Sequence, residues 1–298
     1  MADAMKSPSP LFRSRAGYEA CMAMYDAALT AGPVPYETRM VGTRFGDTHV
    51  VIGGRADAPP LVLFHGWNGN ACNIGAEFPF VFAGHRVYMP DIIGNSGKSA
   101  PNRPPTAGST YADWACDVLD GLGLDRVIAM GISGGGWMTL KLAAYATVRV
   151  IKGIALCTDG LTRLTWERAI LGMSGAALWP NPTTMRWFVR TFKSPDAPMN
   201  QQSEDFGRGL QSIIKHYRSQ RNPGLLTDDE LRRITSPLLV LMGEHERLFD
   251  SPKALERARA LIPGLVAAEL VPHAGHLMTA DQPEYLEARV NRFLREGN

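Results

Sequence analysis

The segment Val127-Ile-Ala-Met-Gly131-Ile-Ser133-Gly-Gly135-Gly-Trp137 constrains the fold of this chain more than any other. Its first half is short, continuously apolar and free of breakers, the pattern of a strand buried on both faces. It runs straight into Gly-x-Ser-x-Gly, and a helix opening on small residues follows over about 134–147. A strand that turns this sharply into a helix holds the serine in a strained conformation and exposes its Oγ. Glycines at 131 and 135 remove side chains that would collide across the turn. The helix N-terminus beneath favours negative charge developing there. Gly-x-Ser-x-Gly alone matches many chains by chance, and the flanking strand and helix are what give it meaning. The plainer reading is a serine that only caps a helix. A phosphate loop would need Gly-x-Gly-x-x-Gly or Gly-Lys-Ser/Thr, and neither stands here. Ser133 is the candidate nucleophile.

The rest of the chain repeats the strand–helix rhythm. Strands are expected at Thr48–Ile52, Leu61–Phe64, Arg86–Met89, Arg126–Met130, Val150–Cys157, Leu238–Met242 and Ala267–Val271. The alternating stretch Glu37–Phe45 pairs with 48–52 as an antiparallel hairpin turned at Gly46-Asp47. Helices fit at roughly 15–30, 71–83, 109–122, 134–147, 252–262 and 282–295, the last capped by Asp281 with Pro283 in its first turn. Such alternation predicts an α/β fold with a mostly parallel central sheet, helices on both faces and right-handed connections.

From about Gly160 to Asn222 the rhythm breaks. No strand pattern occurs, Trp166, Met173, Trp179, Met185, Trp187 and Phe188 accumulate, and prolines at 180, 182, 195 and 198 cut the stretch into short helical pieces. Thr227 and Glu230 then form a capping box for a short helix, Asp228–Ile234, leading back to the sheet. The expected organisation is a core of 1–159 and 226–298 with a helical cap, 160–225, over one edge. The aromatic and Met side chains of the cap either line an apolar pocket or pack cap against core.

Acyl transfer through Ser133 needs an oxyanion hole, a base and an acid. Leu61-Val-Leu-Phe-His65-Gly66-Trp67 ends a buried strand where a loop brings backbone N–H groups near the serine. The N–H groups of Trp67 and Gly134 are the candidate donors, worth roughly 10²–10³-fold each in such a site. His65 precedes the serine, the wrong order for the base, and reads as a loop-shaping residue. Val271-Pro-His273-Ala-Gly275-His276 follows the last strand and supplies the base. His276, placed after glycine, is preferred, and His273 lies nearer the surface. Leu238-Leu-Val-Leu-Met-Gly243-Glu244-His245-Glu246 ends a strand where a carboxylate can orient the imidazole. Glu246 is preferred as the acid, with Asp159 and Asp250 as alternatives.

With these motifs in place, the chain resembles the α/β-hydrolase superfamily from about residue 34 to its end. Asp91-Ile-Ile-Gly94-Asn-Ser96-Gly97-Lys-Ser99 is similar to a characteristic loop of these enzymes, one residue longer, and Ala274-Gly275-His276 is similar to their ending. Tyr111-Ala-Asp-Trp114 and Leu119-Asp-Gly-Leu122-Gly-Leu124, followed by the elbow, resemble a serine carboxylesterase-like subgroup. The resemblance implies that the acid is the carboxylate three residues after Gly243, Glu246, where most relatives carry Asp. It also implies ester hydrolysis without a cofactor. Serine at 133 argues against the dehalogenases and epoxide hydrolases of this superfamily, which use Asp. Carbon–carbon bond hydrolases, iminopeptidases and perhydrolases share the triad, and a non-catalytic ligand-binding member is a further rival. A peptidase needs carboxylates to hold a free amine, for which Glu167, Asp196, Glu204 and Asp205 are the candidates.

Composition narrows the remainder. The chain is 45% apolar and 20% charged with a net charge of +2, so it has material for a core and no basic block to neutralise nucleic-acid phosphates. Apolar runs stop short of a membrane span. Cys21, Cys72, Cys116 and Cys157 are dispersed and form no metal-ligand pair, as expected of free thiols in a reducing compartment. The N-terminus lacks an apolar signal segment, and the expectation is a cytoplasmic enzyme acting on a small apolar ester, with no cofactor or metal.

Overall fold

The computed structural model describes residues 8–165 and 178–296, so Trp166, Glu167 and Met173 lie outside the described residues. Its strands are β1 (Tyr36–Val41), β2 (Thr48–Gly53), β3 (Pro60–Phe64), β4 (Arg86–Pro90), β5 (Val127–Ile132), β6 (Val150–Leu156), β7 (Leu238–Gly243) and β8 (Leu265–Val271). They make one sheet in the order β1-β2-β4-β3-β5-β6-β7-β8. The pairings β1–β2 and β2–β4 are antiparallel and the rest are parallel.

The helices are α1 (Arg15–Thr30), α2 (Ala71–Glu77), α3 (Thr110–Leu122), α4 (Gly134–Tyr145), α5 (Pro182–Phe192), α6 (Gln201–His216), α7 (Asp228–Arg232), α8 (Ser251–Leu261), α9 (Met278–Asp281) and α10 (Pro283–Arg295). Side chains alternate along each strand, and helices cover both faces, which is why the strands read as unbroken apolar runs. Val62, Phe64, Ala129 and Val240 join one core layer with Trp114, Trp137, Leu231 and Leu255. Their neighbours Leu61, Leu63, Met130 and Leu241 join the other with Tyr25, Ile74, Val290 and Phe293.

Three local expectations are corrected. The helix expected over 71–83 stops at Glu77, and Pro79–Ala83 forms a 3₁₀ turn, because a proline disfavours helical backbone at the residue before it. Phe78 accordingly has φ −129° and ψ 54°. The opening strand ends at Val41 rather than Phe45, since Arg44 is drawn to Asp117 on α3 and Thr43 closes the turn onto Gly46. Asp281 does not cap α10. Gln282 occupies the cap position without a side-chain bond, and the Asp281 carboxylate turns inward to Ser194, Gly275 and Lys193.

Between β6 and β7 the chain leaves the sheet to build α5 and α6, which pack on each other, and α6 also packs on α1. Leu11, Phe12, Cys21, Met22 and Tyr217 bury one another at that junction, with Phe12 bridged antiparallel to Tyr217. Val189, Phe192, Leu277 and Ala280 form a second cluster that joins α5 to the loop after β8. Trp179 and Trp187 stand exposed, while Met185 is buried. The Thr227–Glu230 capping box forms at α7 as expected. Among the described residues no helix is long and apolar enough to cross a membrane.

Candidate active site

β5 ends at Ile132 and α4 begins at Gly134, so Ser133 stands alone at the turn with φ 56° and ψ −122°. A non-glycine residue is rarely found there, and the surroundings must hold it. They do so through its backbone. The Ser133 N–H donates to Leu156 O at 2.8 Å, and its carbonyl accepts from Trp137 N–H at 3.1 Å and Asp159 N–H at 3.3 Å. The turn also requires glycine: a Cβ on Gly135 would lie 2.0 Å from Phe64 O, and one on Gly131 2.3 Å from the Gly135 carbonyl.

The loop after β3 lies directly against this turn, since a Cβ on Gly134 would meet Trp67 N at 2.6 Å. Among the described residues no acceptor in the chain takes the N–H of Trp67 or of Gly134. His65 shapes the loop from within. Its Nδ1 bonds Gly66 O at 2.8 Å, and its Nε2 accepts from Ile92 N–H at 2.9 Å. Asn68, at φ 64°, pairs its amide with the backbone of Gln220, donating at 3.0 Å and accepting at 2.8 Å. Trp67 Nε1–H donates to Arg221 O at 2.8 Å. Behind the loop, buried Asp91 accepts from Ala71 N–H, Lys98 N–H and Tyr25 O–H at 2.7 to 2.9 Å, with His49 Nδ1 at 3.1 Å. The Asp91–Ser99 motif therefore braces the loop that carries Trp67.

His276 lies on the loop between β8 and α9, with Nδ1 2.7 Å from Glu246 Oε2. The Glu246 side chain is wholly buried, and its other oxygen accepts from the N–H groups of Arg247 at 2.8 Å and Leu248 at 2.7 Å. Burial works to raise the Glu246 pKa, but the His276 charge and these donors hold it below the ordinary carboxylate value. Burial pulls His276 down, yet Glu246, then Asp159 and Glu77, leave it above its ordinary value. The rings of Phe249 and Phe192 flank the imidazole at 5.9 and 6.4 Å between centroids.

The other two candidate acids, Asp250 and Asp159, are placed differently from each other. Asp250 caps α8 through Lys253 N–H at 3.2 Å and pairs with the Lys253 ammonium at 2.8 Å. Asp159 is buried beside the elbow, and Asn222 Nδ2–H donates to it at 3.1 Å. Burial pushes Asp159 up to about 6, against the pull of Asn222, the His276 charge and the Ser133 hydroxyl. The structure thus brings Ser133, Asp159, His276 and Glu246 into one neighbourhood. Asn222 and Glu77 had no local pattern to announce them, since each acts across more than 60 residues of chain.

The alpha/beta hydrolase family model matches residues 61–289. This chain belongs to that family. The alpha/beta hydrolase is 33% identical over 289 residues to carboxylesterase YbfK of Bacillus subtilis (strain 168), covering 92% of this chain and 93% of that protein. The crystal structure of carboxylesterase CesB (YbfK) from Bacillus subtilis superposes with a TM-score of 0.78 at 28% identity, covering 95% of this chain and 99% of that one. That of naproxen esterase (carboxylesterase NP) from Bacillus subtilis gives 0.79 at 29% identity, covering 92% and 97%. In this alpha/beta hydrolase the described carboxylates considered for holding a substrate amine each face a basic side chain at the surface. Asp196 meets His273 at 3.2 Å, Glu204 meets Arg186 at 3.4 Å, and Asp205 pairs with Arg208. Glu167 is outside the described residues.

Proposed function

We propose that this alpha/beta hydrolase cleaves carboxylic esters through an acyl-enzyme, with Ser133 as nucleophile, His276 as base and Glu246 as the acid that orients it. The observation that carries this reading is the 2.7 Å bond between His276 Nδ1 and the buried Glu246 carboxylate. An acceptor-only carboxylate keeps the proton on Nδ1, which leaves Nε2 free to take the serine proton. Ser133 Oγ then attacks the ester carbonyl, and the N–H groups of Trp67 and Gly134 hold the oxyanion. The alcohol leaves with the proton from His276, and water activated by the same imidazole releases the acid. The likeness to YbfK and naproxen esterase, both named as esterases, supports an ester over the other bonds this chemistry attacks.

A cavity of about 600 Å³ between α1, α2 and α6 reaches Leu277, next to His276. Met24, Phe206 and Ile213 line it together with Glu77, while Ser133, Trp67 and His276 are not part of its wall. In this reading residues 160–225 act as the cap. Four free thiols, of which Cys21, Cys72 and Cys157 are buried, fit a cytoplasmic setting.

The test is hydrolysis of p-nitrophenyl esters from acetate to palmitate by the wild type and Ser133→Ala in parallel. The expected result is wild-type activity that falls by more than about 10³-fold in the variant, with a preference for short or medium chains. Activity that survives Ser133→Ala would overturn the nucleophile assignment.

A further inference from the structure

We propose that Asp196, His245 and His273 form a binding site for a transition-metal dication of the Zn²⁺ type. The three come from separate stretches of chain: the connection between α5 and α6, the end of β7 and the end of β8. His273 Nδ1 lies 3.2 Å from Asp196 Oδ2, His245 Nε2 lies 3.9 Å from the same oxygen, and all three donor atoms fall within 4.8 Å of one another. Two imidazoles and a carboxylate are a donor set that zinc takes readily, at about 2.0–2.2 Å and in tetrahedral array, which places donors roughly 3.4 Å apart. One pair already meets that spacing, and His245 Nε2 lies within half an ångström or so of it from Asp196 Oδ2.

The backbone that presents these groups is held in place independently of them. His245 N–H donates to Ala274 O at 2.8 Å, and His273 N–H donates to Glu244 Oε2 at 2.9 Å. Across the junction, Asp281 accepts from both Ser194 N–H and Gly275 N–H, so the stretch bearing Asp196 is tied to the loop bearing His273. His273 sits at φ 53°, in the left-handed backbone region, and its ring faces Asp196. All three side chains reach solvent, at 65% exposure for Asp196, 33% for His245 and 64% for His273. The buried group Cys157, Glu246 and His276 offers similar donors, but those are spent on one another and on Gly275 O. A bound ion would fasten the α5–α6 connection to the loop that leads to His276.

The test is calorimetric titration of ZnCl₂ into untagged, chelator-stripped protein, with thermal unfolding of the same samples. One Zn²⁺ per chain is expected to bind the wild type and raise its Tm. His245→Ala and His273→Ala should each weaken binding by about tenfold or more, and the double variant should lose the Tm rise. If His273→Ala fails to fold by circular dichroism, His245→Ala and Asp196→Asn carry the comparison. The proposal falls if the wild type takes up no Zn²⁺ at millimolar concentration, or if the histidine variants bind as it does. It falls equally if binding vanishes only in Cys157→Ser, which would put the ion at the buried group.

Discussion

The His276 imidazole is set between opposed influences. Burial disfavours its charge, while Glu246 at 2.7 Å, aided by Asp159 and Glu77, favours it strongly enough to raise its pKa above the ordinary value. A base works only when neutral, so activity falls as pH drops through that raised pKa, and the acid limb of kcat/KM should lie above the ordinary histidine value. Glu246→Gln removes the main raising influence. An amide N–H facing Nδ1 also forces the ring proton onto Nε2, the wrong tautomer for a base. The expected outcome is a kcat lower by about 10²–10⁴-fold, with the acid limb shifted towards lower pH. A pH–rate profile that keeps its wild-type limb would show that Glu246 does not govern His276.

At the scale of the element, α4 is unusual in being buried on every side, from Gly134 to Ala144. It carries Lys141, 1% exposed, whose ammonium pairs with Glu230 at 2.5 Å and donates to Gly108 O at 2.9 Å. Glu230 also closes the α7 capping box through Thr227 N–H at 2.7 Å and accepts from Tyr145 O–H at 2.8 Å. One carboxylate therefore caps the helix that returns the chain to the sheet and neutralises a buried cation on the elbow helix. Glu230→Gln keeps the shape but strands the Lys141 charge, at a cost of about 3–5 kcal/mol. Urea unfolding should report a lower midpoint with an unchanged slope. A midpoint within error of the wild type would mean that the pair contributes nothing.

Over the whole molecule, Asp281 joins parts that the chain keeps far apart. Its carboxylate takes Ser194 N–H and Gly275 N–H at 2.7 and 2.8 Å and pairs with Lys193, buried like itself, at 2.8 Å. Asp281→Asn leaves the Lys193 charge unpaired and should cost a similar 3–5 kcal/mol or so. It differs from Glu230→Gln in its reach, because Gly275 precedes His276. Esterase kcat/KM is expected to drop in Asp281→Asn at temperatures where both variants remain folded, and to hold in Glu230→Gln. Equal activities in the two would show that Asp281 supports stability alone.

Much of this was legible along the chain. Strand after strand was marked by apolar runs, because burial on both faces leaves no room for polar alternation. The elbow was marked by Gly131 and Gly135, whose Cβ atoms would strike backbone. The box at Thr227 and Glu230 was marked by its own spacing, since caps are local. What depends on distant partners was hidden. Whether Glu246 or Asp250 meets His276 depends on how the loops after β7 and β8 pack together. Asp281 reads as a helix cap until folding brings Lys193 and Gly275 beside it. Asp91 shows its role only when Tyr25, His49 and Ala71 converge on it from three elements. Periodicity and turn chemistry act within a few residues and so are written in sequence, whereas a buried polar group takes whichever partner the packed core delivers.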